Sequence, residues 1–514
     1  MIKFLAKRIA SSVLVLIVVT FLLYVLTDLA IDPLQELRTS TSPNKEADMA
    51  ARTQQLHLDV PSPLRYLWWL GGVGGCFIGR CNLGSSWKTH QTVLDMLPGA
   101  VGTSLKLVFA ATIVAILIGV VVGLISALRQ YTTFDYVITF VTFLMYSLPV
   151  FWVAVLLKQY GSISFNNYLQ HPRPNWPLII VISIAAGLFW MGAMAGSLRR
   201  RLINLAAATV ITFAALTYVF TSGWLQHPGL GLVGSLVIAL GAAVLVTHLS
   251  TGLNNRRSLY AALTTAVVMG GAVYYGMQWF YHFYNPTVWL IALLTILAIA
   301  VGVGIGLAFG GPDKWQSART AGIVALIAGV VIFIDQAMQY WAKYSKMSQI
   351  SGRPIRTIGA GEPGLEGNFW IHTVDNYTHL ILPSIALILI SFATYTRYTR
   401  GSMLEVMNQD YIRTARAKGL SERTVIMRHA MRNALLPLAA VVPVDLMTII
   451  GGAVMTETVF GWSGMGKMFA DGLHQADIDP IMAYILIVGI LSILANVVAD
   501  FVYGILDPRI RVTA

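Results

Sequence analysis

The stretch GSMLEVMNQDYIRTARAKGLSERTVIMRHAMRNALLP (Gly401–Pro437) is a charged island in a chain that otherwise avoids charge. Around it, at about 377–396 and 434–456, lie two apolar runs long enough to cross the hydrocarbon core of a bilayer as helices. A polar segment between two such runs is a loop at a membrane surface. From Arg397 to Arg432 it carries Arg397, Arg400, Arg413, Arg416, Lys418, Arg423, Arg428 and Arg432 against only Glu405, Asp410 and Glu422. That excess of Lys and Arg is the mark of a cytoplasmic loop.

Reading outward, the same alternation fills the chain. Hydrophobic residues make up 56% and charged residues 11%, against about 25% charged in ordinary soluble proteins. Long uncharged runs predict about twelve spans, near 9–30, 99–128, 134–157, 177–196, 202–222, 229–250, 259–283, 287–310, 321–340, 377–396, 434–456 and 479–506. Backbone groups inside lipid must be satisfied internally, so these are helices. Short alternating strands, the mark of an outer-membrane barrel, are missing from the pattern. The expected fold class is an all-α polytopic membrane protein.

Charge tests the orientation. The opening MIKFLAKR precedes an apolar run too long for an ordinary cleaved signal and without a clear small-x-small site, which predicts a retained first span with Lys3, Lys7 and Arg8 inside. Alternate loops then hold Arg129, the triplet Arg199–Arg200–Arg201, Arg256 with Arg257, Lys314 with Arg319, the 397–432 loop, and finally Arg509 and Arg511. In the opposite loops, 32–95 and 341–376, basic and acidic residues nearly balance. Both termini are therefore expected in the cytoplasm. The net charge of +12 is scattered in these short clusters, with no continuous basic face of the kind nucleic acid requires.

Residues 177–340 read as three consecutive hairpins rich in Gly and Ala. The pairs Gly192/Gly196 and Gly306/Gly310 have the small-xxx-small spacing of closely packed membrane helices. An even number of crossings leaves downstream topology unchanged, so the block reads as an insertion into one extracytoplasmic loop. The expected organisation is a core at 1–160 with three spans and an extracytoplasmic loop at 32–97, an inserted block at 161–364, and a core at 365–514 with three spans and the cytoplasmic loop 397–433.

Within the charged island, Ser402 is suited to cap a first helix carrying Leu404, Met407, Tyr411, Ala415 and Lys418 at helical spacing. Gly419 suits the left-handed position that ends it, and Ser421 suits the cap of a second helix running toward Pro437. Thr414, Ala415 and Ala417 give a low profile that fits another protein's groove. On the residues alone, a plain topology anchor is an equal reading.

The island closely resembles the signature loop of ATP-binding cassette importer permeases, in the dipeptide/oligopeptide/nickel branch. The residues carrying the resemblance are DYIRTARAKGLSERTVIMRHAMRNALLP (410–437), LHLDVPSPLRYLWWLG (56–71), NLGSSW (82–87), LPGAVGTSLKL (97–107), SLPVFW (147–152), GGAVMTETVFGWSGMGKM (451–468) and LDPRIR (506–511). They cover roughly 1–160 and 365–514. The broader Glu-Ala-Ala…Gly pattern is only partly kept, with Arg413, Thr414 and Ala415 standing where those three would be, as is usual in the peptide branch. The resemblance implies a type I importer core of about six spans, here with about six more. It further implies that Asp410, Tyr411, Ile412, Arg413, Thr414, Ala415, Arg416, Ala417, Lys418, Gly419 and Leu420 dock on an ATPase. The implied partners are a second permease, two ATP-binding cassette subunits and an extracytoplasmic substrate-binding protein, in a bacterial inner membrane. The implied cargo is di- or oligopeptide, with nickel or another small solute as the alternative. An ion-coupled secondary transporter, a second class with about twelve spans, is disfavoured because the two halves of the chain differ.

Several smaller features complete the expectations. Gly461–Met468 fits G-x-x-x-x-G-K, but Met468 stands where a phosphate loop needs Ser or Thr to reach magnesium. No nucleophile–base pair or HExxH appears, so no enzymatic activity, cofactor or metal is expected in this chain, and ATP with magnesium falls to a partner. Cys76 and Cys81 leave two readings open, a small extracytoplasmic disulfide or two unpaired thiols. Asp445, just after Pro443 inside a span where the resembling proteins more often carry Gln, is a candidate path residue that receives the α-amino group of a peptide, or else a residue bonded to a neighbouring helix or buried at a subunit contact. Asp335, Asp500 and Lys158 sit nearer span ends and read as structural.

Overall fold

The computed structural model describes residues 2–41, 43–194, 196–309, 311 and 314–506. Gly310, Arg509, Arg511 and all of LDPRIR after Leu506 lie outside the described residues. Among the described residues, eleven helices are long and apolar enough to cross a membrane. The number becomes twelve if Thr133–Ser147 and Val150–Gln170 form one span bent by 100°. The bend has a local cause. Leu148 precedes Pro149 and is driven out of the helical region, to ψ 129°.

Two helices, Val93–Leu128 and Phe369–Met407, form the spine of the core. Thr92 caps the first, accepting the Asp95 N–H at 3.2 Å, and Asn368 caps the second, accepting the Ile371 N–H at 3.1 Å. They approach through Gly119 and Gly123. A Cβ on Gly119 would lie 2.8 Å from the Tyr395 Cβ, and one on Gly123 would lie 2.7 Å from the Thr396 carbonyl oxygen. This small-xxx-small pair does the close packing in the core.

In the block between them, Trp176–Ala193 pairs with Leu198–Thr221 as a separate hairpin. Gly231–Ser250, Arg256–Phe283, Val288–Phe309 and Lys314–Gln339 form a four-helix bundle around buried alanines at 239, 243, 262, 266, 325 and 328. Gly302 and Gly306 make close contacts, where an added Cβ would collide with Ala321 and Ala318; the Gly306/Gly310 pairing lies partly outside the described residues. Gly192 abuts Thr133, whereas Gly196 sits beyond the helix end at Ala193 and packs against Arg200.

Asp335 ties this bundle together. Fully buried, it accepts hydrogen bonds from the backbone N–H of Leu230 (2.6 Å) and Gly231 (3.1 Å), Tyr274 Oη (2.6 Å), Gln278 Nε2 (3.2 Å) and Gln339 Nε2 (3.1 Å). It thereby places a carboxylate at the N-terminus of Gly231–Ser250, where the helix dipole favours it.

The bundle joins the core through Trp370, fully buried with its ring 5.0 Å from both Tyr281 and Phe333. A strap then crosses the core. Ser162 Oγ and Asn166 Nδ2 donate to the Ile355 carbonyl (2.6 and 2.7 Å), Asn166 Oδ1 accepts the Ile355 N–H (3.1 Å), and the Gly359 N–H reaches the Phe460 carbonyl (2.9 Å). On the first loop, Arg65 pairs with Asp28 at 2.6 Å and Tyr66 Oη donates to the Ile17 carbonyl at 3.0 Å. After the helix Ser62–Gly75, which carries both Arg65 and Tyr66, Cys76 and Cys81 are joined in a disulfide.

Candidate functional site: the docking loop

Phe369–Met407 runs unbroken through Ser402, which therefore caps nothing; the chain first breaks at Asn408 and Gln409. The next helix is Asp410–Ala417, preceded by Gln409 in an extended conformation. Ile412 and Ala415, three apart, are its two buried residues. They pack with Met403, Val425, Ala430 and Ala434, which fixes this short helix to the base of the core. Ala415 thus faces inward, and the low outer profile rests on Thr414 and Ala417. Asp410, Tyr411, Arg413, Thr414, Arg416, Ala417, Lys418, Gly419 and Leu420 are all exposed.

Gly419 adopts φ +73°, and an added Cβ would meet nothing within 4 Å. Glycine is required there by backbone conformation rather than by space. Ser421 caps the following helix through the Thr424 N–H at 3.4 Å. That helix continues as a π turn over Val425–Ala430 into Met431–Ala434.

Two polar ties hold the Asp410–Ala417 helix to its successor. Arg416 donates to Glu422 twice, at 2.7 and 3.2 Å, across the glycine turn. Asn433 Nδ2 donates to Tyr411 Oη at 2.9 Å. The Arg416 guanidinium holds the Glu422 carboxyl below the usual carboxylate range. With apolar bolts on one face and polar ties on another, this helix is a rigid knob and not a loose linker.

The GxxxxGK segment is occupied from within. Glu457, fully buried, accepts the backbone N–H of Lys467 at 3.0 Å and the Ser104 hydroxyl at 2.5 Å. Ser104 Oγ in turn accepts the Met465 N–H at 2.8 Å. A Cβ on Gly464 would come 2.5 Å from the Glu457 carboxyl, which explains the glycine. Burial pushes the Glu457 carboxyl up, partly offset by Ser104 and the N–H groups of Lys467 and Gly466. The turn that resembles a phosphate cradle binds the chain's own carboxylate at the N-terminus of Met465–Gln475.

Asp445 stands apart from the Asp410–Ala417 helix, on Leu436–Gly452, partly exposed and within electrostatic reach of the buried Tyr395. Lys158 Nζ donates to the Val459 carbonyl at 2.9 Å, and Asp500 pairs with Arg8.

Sequence reasoning missed an ion pair beside the 397–432 loop, with its carboxylate buried and its guanidinium part-buried. Arg400 binds Asp135 through Nε (2.8 Å) and Nη2 (3.0 Å), and Ser126 Oγ donates to the same carboxylate at 2.5 Å. Its only signal was an acid two residues into a helix whose start, after Arg129, the charge pattern had already marked. Lys106, inside a span, also escaped notice; its ammonium donates to Asn376 Oδ1 at 2.5 Å.

Comparison with known proteins agrees with this architecture. Residues 258–512 match the family described as binding-protein-dependent transport system inner membrane component, and 1–108 match the N-terminal model of the same transport system membrane component. Over 148 residues the chain is 45% identical to the dipeptide transport system permease protein DppB of Escherichia coli K12, covering 29% of this chain and 42% of that protein. It is 48% identical over 137 residues to the oligopeptide transport system permease protein AppB of Bacillus subtilis, covering 27% and 43%. It is 41% identical over 155 residues to the oligopeptide transport system permease protein OppB of Mycobacterium tuberculosis H37Rv, covering 30% and 48%. Each match spans less than half the length of the curated relative. Matched at both ends, and all-helical with the spans of a multi-pass membrane protein, the chain belongs to the family of binding-protein-dependent transport system inner membrane components.

Proposed function

We propose that this chain is the membrane-spanning subunit of an ATP-driven importer of di- or oligopeptides, coupled to separate ATPase subunits through the Asp410–Gly419 segment. The observation that carries the reading is the docking helix, exposed along most of its length yet bolted to the core by Ile412 and Ala415. A knob with that construction transmits force. A groove on a partner that grips Arg413, Thr414, Ala417 and Lys418 would move Met403 and Val425 with it, and so both flanking spans. The names of the similar proteins, dipeptide and oligopeptide permeases, support the cargo class.

In this reading ATP and magnesium are bound by two cassette subunits, and a second, similar permease completes the path. A substrate-binding protein delivers peptide on the far side. The membrane is the bacterial inner membrane with both termini in the cytoplasm, as the basic loops favour. Nucleotide binding in the ATPases shifts the population between inward- and outward-open states. Asp445 is the group along the path that receives the peptide's α-amino group. The block 161–364 is an insertion into an extracytoplasmic loop. The length of the DppB relative supports this, since 148 residues are 42% of it, making it roughly 350 residues long.

Co-purification tests the assignment. The tagged chain is expected to bring down an ATPase whose hydrolysis is stimulated by substrate-loaded binding protein. Full coupling retained after Arg413, Thr414, Ala417 and Lys418 are replaced together by Glu would refute the docking role.

A further inference from the structure

The hairpin Trp176–Thr221 carries a basic cluster that transport coupling does not use. Arg199, Arg200 and Arg201 open the Leu198–Thr221 helix, all three exposed, with no acidic residue in its first turn. Three like charges repel one another, and the N-terminal end of a helix dipole is the wrong place for cations. An external anion removes both penalties.

The cluster lies on the docking-loop side of the molecule. The first helix of the hairpin ends against the base of the core, with Phe189 5.9 Å from Phe134 and a Cβ on Gly192 placed 3.0 Å from Thr133. Thr133 is two residues from Asp135, which holds Arg400 near the cytoplasmic loop.

A groove of about 270 Å³ leads away from the cluster, lined by Trp190, Met194, Asn204, Ala207, Ala208 and Thr212 among others. Arg200 and Arg201 precede Asn204 by four and three residues, and Ala207, Ala208 and Ile211 follow at the same spacing. They therefore form one face, cationic at its end and small and apolar along its length. The adjoining face packs on the paired helix, since Leu205 and Thr209 meet Gly187, so the groove runs along the seam between the two helices beside Trp190 and Met194. No residue of this helix is buried.

We propose that this face binds an anionic phospholipid. The headgroup phosphate sits on Arg200 and Arg201 with Arg199 beside them, and one acyl chain lies in the groove over Ala207 and Ala208. Charge complementarity selects the headgroup. The apolar groove, running from the charged end into the span, selects a lipid over a soluble acidic protein, which would engage only the arginines.

The test uses the full-length chain, delipidated in detergent and titrated with phosphatidylglycerol or phosphatidylcholine under native mass spectrometry. At roughly a factor of five per arginine, the wild type is expected to bind phosphatidylglycerol at least about tenfold more tightly. The R199Q/R200Q/R201Q variant is expected to lose that preference. A208F, which fills the groove and leaves every arginine in place, is expected to lose most of the binding, while R256Q, on another basic loop, changes nothing. Equal binding of the two lipids, wild-type behaviour of A208F, or an equal loss in R256Q would overturn the proposal. So would a triplet that prefers a co-purifying acidic protein to phosphatidylglycerol.

Discussion

The Ser104 hydroxyl lies 2.5 Å from the Glu457 carboxylate, joining two segments 353 residues apart in sequence. Ser104 is on the core spine, and Glu457 is on the short helix Val454–Phe460 beside the glycine turn. Replacing Glu457 with Ala leaves the N–H groups of Gly466 and Lys467 and the Ser104 hydroxyl without their acceptor in a buried site. The expected loss is about 2–4 kcal/mol, read as a lower unfolding temperature in detergent. Ser104→Ala, which removes one partner only, is expected to cost less.

Glu457 also predicts a pH dependence. Burial raises its folded-state carboxyl above the unfolded value. Its contribution to stability is then fully present below the unfolded value and is lost as pH rises through the folded one. The unfolding temperature is expected to decline over that acidic window, and Glu457→Gln is expected to flatten the decline. An identical profile in the Gln variant would contradict the assignment.

At Gly419 the penalty is conformational only, because nothing surrounds the position a Cβ would take. Asn tolerates positive φ, Ala pays about 1 kcal/mol, and a β-branched residue pays more. Coupling of ATP hydrolysis to uptake is therefore expected to fall in the order Gly, Asn, Ala, Val, with membrane abundance nearly constant. A steric site would instead rank these residues by size.

The Arg416–Glu422 tie is exposed, 41% and 55% at the side chains, so its worth in stability is at most about 1 kcal/mol. Its expected effect is mechanical. R416A and E422A should each lower transport per ATP hydrolysed, and the double variant should be no worse than either alone. Additive losses would show that the two residues act separately.

Asp335→Ala is expected to damage the four-helix bundle far more than Asp445→Asn damages the core. The first strands the donors of Leu230, Gly231, Tyr274, Gln278 and Gln339, a loss of about 3 kcal/mol or more, visible as protease sensitivity between 176 and 345. The second is expected to lower peptide uptake while complex assembly and thermal stability hold. Unchanged uptake would remove Asp445 from the path.

Much of this was legible in the sequence because membrane spans and turns are local. Apolar length marked the spans, and Gly419 and Ser421 marked the turn after the docking helix. What escaped was decided at long range or by continuity. Ser402 has the chemistry of a cap, but the helix from Phe369 runs through it, since its apolar packing reaches Met403. Ala415 looks like an exposed small residue until Ile412 and Met403 show which face is buried. Asp135 and Arg400 are 265 residues apart, and no local pattern pairs them. The GxxxxGK segment, which Met468 disqualifies as a phosphate loop, gave no local sign that its turn holds the chain's own Glu457 carboxylate.

Only Ile412 and Ala415 on the docking helix are committed to the interior of their own subunit. The outward positions carry no such obligation, so they are free to change at little cost to folding. A lineage could rewrite Arg413, Thr414, Ala417 and Lys418 to suit a different motor and keep the transport body unaltered. Under the proposed docking role, specificity for the engine and integrity of the transport body would be stored in separate residues of one two-turn helix.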